Sequence, residues 1–227
     1  MHTEHKTTAD VILPESPACP LNVVLGGAPL LGRLTGIGRY TYELARALVA
    51  SQIVDDLKLW GDLSFLDAGM LKRGDPTSEG PAGLADKKNR GRSGSLAVSA
   101  RAFASRSYYA SMVYQFVSGA MAERRLRPLA DSHLYHSPNF IMPRFDGARV
   151  ITIHDLSTIR FPQFHRKQMV VLCEGGIRSA IEGKVHVITD SFHVRDELVK
   201  DFGVEGSRIS TVHLAPDPRC RPRHESE

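Results

Sequence analysis

The amino-acid sequence predicts an α/β fold: a parallel β-sheet with helices on both faces. Three stretches carry that expectation. Arg149 to Ile153 is a β-branched run with the composition of a strand buried on both faces. The last third of the chain alternates apolar strand runs with helical patterns, as strand–crossover–strand units do. Near the start, Leu21 to Leu25 runs into a glycine-bearing loop, Gly26 to Gly38, which opens a periodic helical segment.

The elements follow in order. Residues 1–20 are polar, contain Pro14, Pro17 and Pro20, show no periodicity, and read as a flexible arm. After the first strand and its loop, Tyr40, Leu44, Ala47 and Leu48 recur at helical spacing, with Glu43 and Arg46 on the other side. A second strand spans Asp56 to Trp60. From Asp62 to Ser95 the pattern dissolves into an irregular insertion. The basic half of this insertion, Lys87, Lys88, Arg90 and Arg92, suits an anionic membrane surface or acceptor, with solvated disorder as the competing reading. A long helix from about Ser99 to Arg127 places Tyr109, Met112, Val113, Phe116 and Ala120 on one stripe, expected to be core. Arg124, Arg125 and Arg127 complement the helix dipole, and Pro128 stops it. Strands then follow at Ser132–His136, Arg149–His154, Val185–Thr189 and Arg208–Leu214. Helices are expected over Phe164–Glu182 and Phe192–Phe202, the second capped by Asp190 or Ser191 and stopped by Gly203. The sum is one Rossmann-like domain over residues 21–216, with 217–227 as a tail or the start of a linker.

Composition bounds the function. The chain has 227 residues, 42% of them apolar, enough for one sizeable core. A net charge of +4 indicates mild attraction to anionic partners, well short of a nucleic-acid binder. No apolar run approaches the roughly 18 residues that span a bilayer, and the N-terminus lacks a signal-peptide core, so the expected location is cytoplasmic. Cys19, Cys173 and Cys220 are widely spaced with no C-x-x-C, against a disulfide framework or thiolate zinc site, and Cys173 reads as a buried thiol.

The chemistry concentrates at two places. His154-Asp155 stands where the buried strand surfaces, and ligands of open parallel sheets collect at the carboxyl ends of strands. The competing reading is that Asp155 caps the next turn while His154 is a hydrogen-bonded rim residue. Gly36 and Gly38 open the first helix, where bare backbone N–H groups and the positive dipole end suit a diphosphate. That loop is expected to lie outside the core. It is not the dinucleotide fingerprint, since the third glycine would fall at Thr41 and the turn is too long. His133 and His136 form H-x-x-H, but i and i+3 on a strand point to opposite faces, which argues against a shared metal. No G-x-S-x-G elbow is present.

Together G-I-G-R-Y-T-Y-E-L-A-R-A-L at 36–48, L-Y-H-S-P-N-F at 134–140, V-I-T-I-H-D-L-S-T-I-R-F-P-Q-F-H at 150–165, V-I-T-D-S-F-H-V-R-D-E-L at 187–198 and R-I-S-T-V-H-L-A-P-D at 208–217 resemble the N-terminal half of a retaining family four glycosyltransferase. The flavour is that of bacterial mannosyltransferases of polysaccharide biosynthesis. The resemblance implies one half of a GT-B architecture, with the acceptor on this domain and the sugar nucleotide, GDP-mannose or a UDP-sugar, on a second. It implies no cofactor and no metal. Gly36 and Gly38 would face the donor diphosphate, His154 the donor sugar, and Asp155 and Ser157 the acceptor side. Arg39 in G-I-G-R and Asn139 in S-P-N-F join them as substrate-binding candidates. The implied partners are a glycan or polyprenyl-linked acceptor, a separate donor domain missing from this chain, and peripheral contact with the inner membrane face. Two other classes compete: a Rossmann oxidoreductase, for which Asp62 would be the ribose-binding acid, and a non-catalytic binding module.

Overall fold

The computed structural model describes residues 21–31, 35–72, 108–182, 185–216 and 220. Seven strands form one sheet in the order β3-β2-β1-β4-β5-β6-β7. They are β1 (Leu21–Gly26), β2 (Val54–Trp60), β3 (Phe65–Leu66), β4 (Leu134–Ser137), β5 (Arg149–Ile153), β6 (His186–Thr189) and β7 (Ile209–Thr211). All neighbours pair in parallel except β3, which folds back antiparallel on β2. The α/β expectation holds, with β5 inside the sheet between β4 and β6.

Among the described residues five helices lie between the strands: α1 (Gly36–Ala50), α2 (Tyr108–Leu126), a single turn α3 (Ser157–Arg160), α4 (Lys167–Glu182) and α5 (Phe192–Phe202). Alternation along β1 shows that both faces are covered. Val23 and Leu25 pack with Tyr42 and Ala45 of α1, whereas Val24 between them packs with Ala122 and Leu126 of α2. A third cluster joins Ile151, Ile153 and Val187 to Ile177 of α4 and Val194 and Leu198 of α5. The α5 termini follow the expected chemistry. Ser191 Oγ accepts from Val194 N–H at 3.2 Å, and Gly203 closes the helix at φ 65° with Val204 N–H donating to Leu198 O.

Four expectations are corrected. The stretch after Gly61 is not uniformly irregular: β3 and a 3-10 turn at Ala68–Lys72 occupy its start, while residues 73–95 lie outside the described residues. The stripe assigned to the core on α2 faces solvent, with Met112, Val113 and Phe116 exposed by 53, 63 and 79%. The helix instead turns Ala122 and Leu126 inward, so apolar content marked a helix but not its buried side. On α1 the buried positions are Gly38, Thr41, Tyr42 and Ala45, and Ala47 is exposed. Gly38 is therefore part of the packed first turn rather than a loop outside the core.

One close approach fixes the loop after β4. A Cβ at Gly176 of α4 would lie 1.8 Å from the carbonyl oxygen of Phe140, so only glycine lets α4 meet that loop.

Candidate functional site

The sheet register builds the site. Ile153 of β5 pairs with Thr189 of β6, so the next residue of each strand, His154 and Asp190, emerges at the same height on the carboxyl edge. His154 Nδ1 lies 2.6 Å from Asp190 Oδ2, and Nε2 lies 3.1 Å from the carbonyl oxygen of Pro138, just past β4. Both partners are acceptors, so a neutral ring donates to only one of them. The first turn of α1 closes the third side. The Tyr40 ring stands edge-on to the imidazole at 4.8 Å, and its hydroxyl lies 3.2 Å from Thr152 Oγ1. Burial raises the Tyr40 phenol above its ordinary range, the Thr152 bond opposing and the Asp190 charge adding.

Behind this layer, His136 Nε2 lies 2.9 Å from the same Thr152 hydroxyl. Burial pushes His136 down to about 4, with the nearby His154 adding. His133 faces elsewhere, toward Asp56 of β2 at 3.1 Å. The two histidines of H-x-x-H thus take partners on different strands.

The structure gathers the other candidates unevenly. Asp155 is exposed, and its Oδ1 accepts from Ser157 N–H at 2.8 Å, the turn-capping role weighed against catalysis. Ser157, partly buried, opens α3. Gly36 begins α1 in open space, where an added Cβ would meet nothing within 4 Å. Gly38 is different, since its N–H donates to Thr35 Oγ1 at 3.3 Å and is already covered by the cap. Arg39 pairs with Glu43 one turn along α1 at 2.9 Å. Asn139 Oδ1 accepts from Ile141 N–H at 3.1 Å and holds the loop after β4, where the Ser137 hydroxyl lies 2.8 Å from the carbonyl oxygens of both Asn139 and Ile141 and donates its one proton to either.

A cavity of about 580 Å³ lies beside this edge, between α2 and α4, lined among others by Trp60, Tyr135, Asn139 and Met142. Pro138 and Asn139 border it and His154 does not, so the loop after β4 stands between the histidine and this cavity.

Sequence reasoning missed Asp190, which it held only as an alternative cap. Ser191 performs that job, and the aspartate side chain turns to His154 instead. The legible signal was the parallel between I-T-I-H and V-I-T-D, polar residues directly after two strands that prove to be neighbours. No cluster of His, Cys, Asp or Glu suited to a metal occurs among the described residues, and none of their helices is long and apolar enough to cross a membrane.

No family model matches the chain, and no solved structure does. It is similar to the O-antigen chain mannosyltransferase B of Escherichia coli, 28% identical over 207 residues that cover 91% of this chain and 50% of that protein. The chain spans about half the length of this curated relative, and its likeness runs to a polysaccharide mannosyltransferase.

Proposed function

We propose that the chain forms the acceptor-side part of a retaining glycosyltransferase that moves a hexosyl group, mannosyl by preference, from a sugar nucleotide to a glycan or polyprenyl-linked acceptor. The observation that carries this reading is the likeness to a mannosyltransferase over 91% of the chain. The carboxyl edge supports it, since the His154 imidazole stands there among Asp190, Tyr40 and the Pro138 carbonyl. In this reading His154 Nε2 meets the donor sugar, which takes the place beside the ring that the Pro138 carbonyl oxygen holds at 3.1 Å.

The sugar nucleotide itself is held mainly by a second α/β unit, corresponding to the part of the relative outside the similarity. Magnitudes favour this division. A helix N-terminus contributes ~0.3–1 kcal/mol to an exposed anion and up to ~2 when partly buried. Micromolar affinity requires about 8 kcal/mol. Arg39 is engaged with Glu43 and the Gly38 N–H with Thr35, which reduces what the first turn of α1 offers a diphosphate. The basic run proposed for contact with an anionic membrane lies in residues 87–92, outside the described residues.

The test is to titrate the purified chain with GDP- and UDP-sugars by calorimetry and to search for transfer to polyprenyl-linked acceptors by mass spectrometry. The expected result is a folded chain with weak donor binding and no turnover until a second unit is added. Donor binding and turnover by this chain alone would overturn the division of labour. Absence of transfer with every donor, even after a second unit is supplied, would favour a binding module.

A further inference from the structure

We propose that Asp190 is the positioning residue of His154: its carboxylate holds the ring proton on Nδ1 and the ring in place, so that Nε2 is the nitrogen offered to a ligand. The role assigned to Nε2 rests on the glycosyltransferase reading. The Asp190–His154 linkage itself does not.

Four observations converge on this aspartate. Register places it beside His154, as Ile153 pairs with Thr189 in the preceding row. Its separation from Nδ1, 2.6 Å, is shorter than the 3.1 Å between Nε2 and Pro138 O, and a bond to a carboxylate is about twice as strong as one to a neutral carbonyl. The two acceptors compete for the single proton of a neutral ring, so Asp190 wins and Nε2 is left as the unprotonated, ligand-facing nitrogen. Helix capping does not explain the residue, because Ser191 Oγ already accepts from Val194 N–H.

The fourth observation is the other carboxylate oxygen. Asp190 Oδ1 is buried and has no hydrogen-bond partner among the described residues. An arrangement selected for folding alone would satisfy both oxygens or replace the acid, since a buried unsatisfied acceptor is destabilising. The carboxylate is instead retained with one oxygen committed to His154. Tyr40 from α1 supports the imidazole edge-on, and among the other titratable groups His136 lies behind it on β4 and Asp155 follows it in the chain. The ring of His213 is directed to the Asp190 backbone oxygen rather than to the carboxylate.

Nitrogen-15 spectra of the histidine side chains, recorded on the full chain at a pH where imidazoles are neutral, test the assignment without any substrate. The wild-type His154 ring is expected as the Nδ1–H tautomer, against the usual preference of a free imidazole for Nε2–H. Asp190→Asn should move the tautomer population about tenfold or more toward Nε2–H. The signals of His133 should stay in place. Asp190→Glu should restore the wild-type tautomer at least in part. An Nε2–H tautomer in the wild-type protein would overturn the proposal whether or not the variants fold. So would a tautomer unchanged in a folded Asp190→Asn. Because no sugar enters the experiment, its failure is separable from failure of the transferase reading.

Discussion

Two histidines of this protein each face a carboxylate, at opposite edges of one sheet, and the two pairs are finished differently. At the amino edge His133 lies 3.1 Å from Asp56, its other nitrogen is 2.8 Å from Ser132 Oγ, and Lys58 shares the carboxylate. Lys58 beside Asp56 holds the carboxyl below its usual range, with His133 adding. The Asp56 side chain is 44% exposed, so its carboxylate is open to solvent, whereas the His133 side chain is 6% exposed. At the carboxyl edge His154 and Asp190 are 15 and 17% exposed, they pair with each other, and one carboxylate oxygen has no partner among the described residues. The same pair of side chains has a buried imidazole on a solvent-facing, lysine-supported carboxylate in one setting and an under-satisfied, partly buried carboxylate in the other. Neighbours decide the difference, and under-satisfaction falls where ligands of parallel sheets collect.

The contrast is sharpest if each histidine is removed. In an assembly that transfers sugar, His154→Ala is expected to lower turnover by about 10²–10³, the range for losing one positioned donor or acceptor at a reacting centre. His133→Ala should leave turnover within about twofold, because its ring faces Asp56 of β2 and touches none of the groups around His154. Turnover measured on both variants, with melting curves alongside, decides. Equal losses would erase the distinction between the edges.

The next effect belongs to the histidine behind the site. His136 has its ordinary value of 6.5 lowered to about 4 in the fold. Between these values the unfolded chain binds more protons, so stability present above pH 6.5 is lost as pH falls through about 4, by at most about 3 kcal/mol. Urea midpoints across that window should fall in the wild-type protein and much less in His136→Gln. A wild-type slope matching the variant would mean that His136 is not held neutral.

Smaller effects separate capping from positioning. Ser191→Ala removes the α5 cap and should cost about 1 kcal/mol by urea denaturation. Asp190→Ala should not add a second loss of capping to it, and if the two variants cost the helix alike, Asp190 is a cap after all. The smallest change is expected for Asp56→Asn, below about 1 kcal/mol because that carboxylate is solvated.

The sequence made the sheet legible because buried parallel strands are short β-branched runs with abrupt polar ends, as at Arg149–Ile153 and His186–Thr189. It made α5 legible down to its cap and its left-handed glycine, because both are local chemistry. Two residues paired in β3 were too few to show a period. The buried side of α2 was misread because Ala122 and Leu126, with little apolar bulk between them, face β1 while Phe116 and Val113 do not. Side selection depends on what lies opposite, which periodicity does not contain. His154 was legible as the residue where a buried strand surfaces. Asp190 was not, because its partner is 36 positions away and the pairing exists only once β5 and β6 are neighbours.

Gly176 carries a consequence for how this site would look to mutagenesis. Its backbone touches the carbonyl of Phe140, in the loop whose Pro138 oxygen meets His154. Even a methyl group there must push that loop or the helix away, since a carbon 1.8 Å from a backbone oxygen has nowhere to go. The displacement would reach the imidazole through three residues of main chain, altering the geometry around Nε2 without any change in the side chains that surround it. An alanine scan scored by activity would therefore rank a featureless position in the middle of α4 beside His154, and would mistake a spacer for chemistry.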